Sequence, residues 1–242
     1  MRKLFWVKGV KVYAYDRIDS TNNEAKRRIA KGQELPLLLV AKKQTAGKGT
    51  RGRSFHSSGG GLYMSLAVKT DETRLQKLTV LAAVATAQAI EKLSGVQVGI
   101  KWVNDIYLNG KKLCGILTER VADPNTNQTL GVVIGIGVNL FVKEFPEDIK
   151  NIAISLNKKG VTAKKLSTEI TKRILSLLNG NQDFMQYYKE KSVLLGKQVS
   201  YLQYGNQYTA TAVDIDENGA LIVEDENKNT TILKGGDVTL LK

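Results

Sequence analysis

The sequence predicts an α+β fold: a body of strands and helices followed by a small all-β barrel. Three observations carry this. Short apolar runs alternate with helical faces over residues 1–191. After Leu195 only short alternating runs remain, broken by turn dipeptides. The charge changes sign at the same place. Ser192 to the end holds four lysines, no arginine and seven acids, a net −3, while the first 191 residues carry +16 of the total +13. The expected domains are therefore 1–191 and 192–242.

Thr21-Asn22-Asn23-Glu24 reads as a capping box opening a helix that stops at Gly32. Leu37–Ala41 is an apolar run of strand length, and Leu62–Val68 reads as another strand. Between them lies a glycine-rich segment, Gly47 to Gly61. Leu75, Leu78, Leu81, Ala82, Ala85, Ala89 and Leu93 form one helical face, ended by Gly95. Asn109-Gly110 predicts a tight hairpin turn joining Asp105–Leu108 to Lys112–Glu119. Gly131–Leu140 reads as a core strand. Leu166, Ile170, Ile174 and Leu177 mark a helix stopped by Asn179-Gly180, and Gln182–Lys191 a short one. In the barrel region Gln198–Gln203, Tyr208–Ile215, Ala220–Glu224 and Thr230–Leu233 alternate. Gly205-Asn206, Glu217-Asn218-Gly219 and Glu226–Asn229 separate them.

Composition narrows the chemistry. Hydrophobic residues make up 42% of 242, enough for a packed core. No apolar run approaches the roughly 20 residues a bilayer demands, and the first residues lack a signal-peptide core. The single cysteine, Cys114, leaves no internal disulfide and suits a reducing compartment, so a cytoplasmic location is expected. One histidine, His56, excludes any Cys/His zinc pattern and leaves catalysis to lysine, arginine, carboxylates and backbone N–H groups. The basic body points to anionic partners.

Four segments carry chemistry. Lys42 to Phe55 holds five cations and no acid, laced with glycine, a combination suited to phosphate or carboxylate. Gly47-x-Gly49-x-x-Gly52 has dinucleotide-binding spacing, but Arg53–Gly61 will not open a helix, so that reading fails. A P-loop fails too, for want of its upstream glycine and following Ser/Thr. Lys101-Trp102-Val103-Asn104-Asp105, followed by Lys111-Lys112-Leu113-Cys114-Gly115, could serve a nucleotide and its Mg²⁺; a strand end with a surface salt bridge explains it as well. Gly135-Ile136-Gly137-Val138-Asn139 leaves bare positions on a strand face, for a flat ligand or for tight packing. Ser20-Thr21-Asn22 caps a helix and could also bind a polar ligand head.

In this order, from about Tyr15 to Leu241 and with the terminal Gly235-Gly236-Asp237-Val238-Thr239-Leu240-Leu241, the segments resemble the catalytic module of biotin–protein ligases. The resemblance implies a class II synthetase-like mixed sheet with flanking helices and a C-terminal SH3-like barrel. It implies activation of biotin with MgATP to biotinyl-5′-AMP, then transfer to one lysine of a biotin carboxyl carrier domain. By the same resemblance Ser20, Thr21, Asn22 and Gln44 would bind the ureido head of biotin. Gly47, Lys48, Gly49 and Thr50 would fold over biotin, and Lys112 with Gly115 would line that pocket. Arg51 and Arg53 would contact phosphate, with Asn104, Asp105 and Asn139 on the nucleotide side. Lys101 and Arg51 would be catalytic, Lys101 at the α-phosphate, and Asp105 would face Mg²⁺.

Three departures stand out. Thr50 and Lys48 replace arginines of the usual loop, and Val103 replaces a proline after tryptophan. The first two predict weaker retention of the adenylate, since lysine lacks the bidentate fork and threonine lacks charge. The module begins by about residue 10, which leaves no room for a DNA-binding domain before it, so DNA is not an expected partner. Nor is a membrane, while monomer and homodimer stay open. Lipoate–protein ligase is the competing enzyme reading, and a nucleic-acid-binding protein the competing non-enzyme one. The latter predicts aromatics interleaved with the basic loop, where only Phe55 stands.

Overall fold

A computed structural model describes residues 3–7, 9–70, 75–180 and 183–241. The larger sheet has eight strands: β1 (Lys3–Val7), β2 (Val10–Ile18), β3 (Leu37–Gln44), β4 (Gly61–Val68), β5 (Gly99–Lys101), β6 (Asp105–Leu108), β7 (Lys111–Ala122) and β8 (Thr129–Asn139). Their order is β1-β2-β3-β4-β8-β7-β6-β5. It is a mixed sheet, because β2 and β3 run parallel while the other neighbours are antiparallel. The parallel pair is joined through α1 (Thr21–Ala30), since two parallel neighbours cannot be linked by a tight hairpin.

Three further helices follow, α2 (Leu75–Ser94), α3 (Ala163–Asn179) and α4 (Phe184–Glu190). α2 buries residues nearly all round, from Leu78 to Ile90, because it lies between the sheet and α3. α3 is amphipathic and buries only Leu166, Ser167, Ile170, Thr171, Ile174 and Leu177. The predicted Asn109-Gly110 turn is present, both residues at positive φ (50° and 74°), linking β6 to β7.

The second sheet holds β9 (Gln198–Gln203), β10 (Asn206–Ile215), β11 (Leu221–Glu224), β12 (Thr230–Leu233) and β13 (Val238–Leu240), ordered β12-β11-β10-β9-β13 and antiparallel throughout. Its buried side chains, among them Val199, Tyr201, Ile215, Leu221 and Val223, continue the core of the main body. Trp102 Nε1 donates to the Gly219 carbonyl at 2.8 Å, a buried tie between the two parts.

Several local expectations need correction. The cap of α1 is Ser20, not Thr21: the Ser20 side chain accepts from Asn23 N, and Glu24 turns outward to Arg27 and Arg28. The first turn of the second sheet is Tyr204-Gly205, not Gly205-Asn206, since Asn206 already pairs with Gln203. β1, β2, β5 and β13 have no counterpart among the strands the sequence predicts. α4 begins at Phe184; Gln182, the expected start, lies outside the described residues.

Candidate active site

α1 meets the sheet with its N-terminus over β3 and β4, which brings Ser20, Thr21 and Asn22 together, all buried. Thr21 donates twice to Gln44 Oε1, from its backbone N at 2.7 Å and its hydroxyl at 3.1 Å. Ser65 Oγ, on β4, lies 2.5 Å from Asn22 Oδ1 and 2.8 Å from Thr21 Oγ1. The Asn22 amide donates to Glu119 Oε2 at 2.8 Å and the Leu117 carbonyl at 3.5 Å, and Lys26 pairs with Glu119 at 2.5 Å. Asn22 thus uses its amide to hold the helix end in place.

The glycine-rich loop is an ordered hairpin, not a bare coil. Gly49 N donates to the Arg53 carbonyl at 2.7 Å, and Phe55 N to the Gly47 carbonyl at 2.9 Å. Arg51 (φ 56°) and Gly52 (φ 75°) make the turn. One short 3₁₀ turn, Thr50–Gly52, is all the helix there, consistent with rejecting the dinucleotide fingerprint. Arg53 donates to Thr50 Oγ1 at 3.1 Å and pairs with Asp237 at 2.9 Å; Arg51 pairs with the same carboxylate at 3.2 Å. These pairs are half-exposed, so they tether the loop weakly to the second sheet.

The bare strand face is filled by protein side chains. A Cβ on Gly135 would meet Asn22 Oδ1 at 2.1 Å, and one on Gly137 would meet the Phe55 ring at 2.5 Å. Phe55 also stands edge-on to Tyr63, centroids 6.4 Å apart.

A cavity of about 220 Å³ opens over this floor. Of the expected residues, Ser20, Thr21, Asn22, Gln44, Lys48, Gly49, Thr50, Arg53, Asn104, Lys112, Gly115 and Asn139 line it. Gly47, Arg51, Lys101 and Asp105 do not. Gly47 is wedged against the Phe55 carbonyl and Ser57 Oγ, each 2.5 Å from a Cβ placed there. Asp105 sits just behind the wall, its Oδ2 paired with Lys112 at 2.7 Å. The salt bridge of this segment is Lys112–Asp105, and Lys101 is Asp105's cross-strand neighbour. Burial pushes the Lys101 ammonium below the ordinary lysine range, with Asp105, Lys112, Asp237 and Arg53 as its charged surroundings.

Sequence reasoning missed Ser57 and Ser65, which tie the polar end together, and Phe145, Ile149, Ile152 and Ala153, which form an apolar wall. That wall hangs on Lys112, whose backbone N donates to the Ile152 carbonyl at 2.7 Å and whose carbonyl accepts from Ile154 N at 3.0 Å.

Polar groups at one end, cations at the other and two chain segments at fixed distances make a site for an elongated, partly anionic ligand pair. Residues 14–139 match the biotin/lipoate A/B protein ligase family, and residues 194–241 match the biotin protein ligase C-terminal domain. The chain belongs to the biotin protein ligase family. It is 33% identical to the bifunctional ligase/repressor BirA of Bacillus subtilis, over 97% of this chain and 75% of the relative. It is 32% identical to the biotin–[acetyl-CoA-carboxylase] ligase of Mycobacterium tuberculosis, over 92% and 86%. The biotin protein ligase of Aquifex aeolicus, solved with biotin and ATP, superposes with a TM-score of 0.81 at 26% identity, covering 96% of this chain and 98% of that one. Among the described residues no helix is long and apolar enough to cross a membrane.

Family membership implies Mg²⁺, and one carboxylate of the site suits it. Asp105 Oδ1 is buried without a hydrogen-bond partner, while no cluster of three or more His, Cys, Asp or Glu exists among the described residues. One carboxylate completed by water and phosphate oxygens is how Mg²⁺ is commonly held beside a nucleotide.

Proposed function

We propose that this chain condenses biotin with ATP to biotinyl-5′-AMP and pyrophosphate, then transfers the biotinyl group to the ε-amine of one lysine on a carrier domain of a biotin-dependent carboxylase. The observation that carries the reading is one cavity that holds Thr21 and Gln44 together with Lys112, Asn104 and Arg53. Ser20, Thr21 and Gln44 offer a neutral set of donors and acceptors to a ureido group, and Asn22 fixes them. Phe145, Ile149 and Ile152 offer an apolar face to a flat base. Lys48, Gly49 and Thr50 roof the bound acid, and Asn139 closes the cavity beside the glycine floor.

A carboxylate is already ionised near neutral pH, so the first step demands no general base. Its barrier comes from bringing one anion to another, and positioned cations lower it. Lys112 and Arg53 face the cavity and Lys101 supplies charge from beside it, with Arg51 reaching the phosphates once freed from Asp237. Asp105 is the residue that would hold Mg²⁺, which neutralises phosphate charge. In the second step the lysine nitrogen forms an amide bond to the biotinyl carbonyl, AMP leaves, and the amine sheds its protons to solvent.

The division at 191/192, a cytoplasmic setting and an acceptor carboxylase complete the proposal; the charge reversal and the match over residues 194–241 support the first, the lone cysteine the second and the carboxylase-ligase relative the third. Intact-mass analysis of a carrier domain incubated with the full chain, biotin and MgATP should show one biotinyl adduct on one lysine. An unmodified carrier, or modification without biotin, would refute the proposal.

A further inference from the structure

Ser57 lies outside every segment the reaction needs directly, yet it is buried and fully committed. Its hydroxyl accepts from Gln44 Nε2 at 3.0 Å and donates to the Phe55 carbonyl at 2.9 Å. Its own carbonyl accepts from Gln44 N at 3.0 Å. Gln44 Oε1 is meanwhile taken by both donors of Thr21. The Gln44 amide is therefore clamped on two sides, its oxygen by the helix end and one N–H by Ser57. The other amide proton has no protein partner among the described residues.

The second half of the chain of contacts runs into the loop. Phe55, whose carbonyl Ser57 holds, closes the loop hairpin through its N–H to Gly47 and lays its ring across Gly137 and Gly115. Gly47 has no space for a side chain between Phe55 O and Ser57 Oγ, so the loop base, Ser57 and Gln44 pack as one unit. A shift of the Gln44 amide toward a ligand therefore pulls on Ser57 and, through it, on the carbonyl that anchors Phe55.

We propose that Ser57 is a positioning residue that fixes the orientation of the Gln44 amide and couples occupation of the polar end of the cavity to closure of the Gly47–Phe55 loop. The inference rests on the reading that the polar end takes the biotin head. Losing Ser57 would then weaken biotin selection and let the loop release its adenylate, while leaving ATP contacts alone.

The test compares the full chain with Ser57→Ala, Gln44→Ala and the double variant, measuring KM for biotin and for ATP and the rate of free adenylate release without acceptor. Ser57→Ala should raise the biotin KM about tenfold, as loss of one buried hydrogen bond does, with the ATP KM within about twofold. Adenylate release should quicken. For the biotin KM the double variant should match Gln44→Ala alone, because Ser57 reaches the polar end of the cavity through Gln44, whereas its bond to the Phe55 carbonyl acts on adenylate release. Additive effects on the biotin KM, equal rises in both KM values, or lowered thermal stability with an unchanged biotin KM would overturn the proposal. If the unmodified chain forms no adenylate from biotin, the reading beneath it fails instead.

Discussion

Gly135→Ala probes the packing on which the polar end of the cavity depends. The new Cβ would stand 2.1 Å from Asn22 Oδ1 and 2.7 Å from Asn22 Cγ and Nδ2. Ordinary contact begins near 3.4 Å, so Asn22 must move by more than an ångström. It cannot do so freely, because its amide is tied to Ser65, Glu119 and the Leu117 carbonyl. Overpacking of this kind costs about 2 kcal/mol, and loss of two of those hydrogen bonds costs about 1 kcal/mol each. A total of about 4 kcal/mol lowers Tm by roughly 8–16 °C in a chain of this size. Thr21 precedes Asn22 on the same helix turn, moves with it and carries the N–H that holds Gln44, so the biotin KM should rise as well. Thermal unfolding by circular dichroism and steady-state kinetics read the two effects. A Tm within about 2 °C of the parent, with an unaltered biotin KM, would refute the reasoning.

Three further outcomes follow from other parts of the site. Thr50→Arg should slow escape of free adenylate about tenfold in the absence of acceptor, because it restores a charged, bidentate donor to the loop; unchanged release would sink that idea. Lys101 must be cationic to offset phosphate charge, and burial lowers its pKa. The alkaline limb of kcat/KM for ATP should therefore fall below the ordinary lysine value of 10.5 and vanish in Lys101→Met, whose remaining rate is low and flat with pH. Trp102→Phe keeps an aromatic ring but loses the indole N–H, which leaves the Gly219 carbonyl without its buried donor. That change should cost about 2 kcal/mol, a Tm drop of roughly 4–8 °C readable by calorimetry.

Local signals explain which features the sequence disclosed. Asn109-Gly110 is legible because two adjacent residues must both take positive φ, and α2 because its apolar face repeats over five turns. The four site segments are legible by residue type and order. What escaped depends on distant partners. Asn22 is tied to Glu119 across 97 positions and Arg53 to Asp237 across 184, and no local spacing encodes either. Ser57 and Ser65 look like ordinary polar residues until β3, β4 and α1 meet. The bare face at Gly135 and Gly137 left a flat ligand or tight packing open in the sequence, and Asn22 and Phe55 fill it, from positions no local spacing could name. β2 alternates residues that are largely screened on both faces, and β5 is three residues long, so each gives a weak pattern.

Pyrophosphate release from ATP and Mg²⁺, with biotin or lipoate as the only added acid, tests the central claim most directly. The account predicts release that depends on biotin, saturates with it and is lost in Lys101→Ala. Release driven by lipoate and not by biotin, or none with either acid, would contradict it.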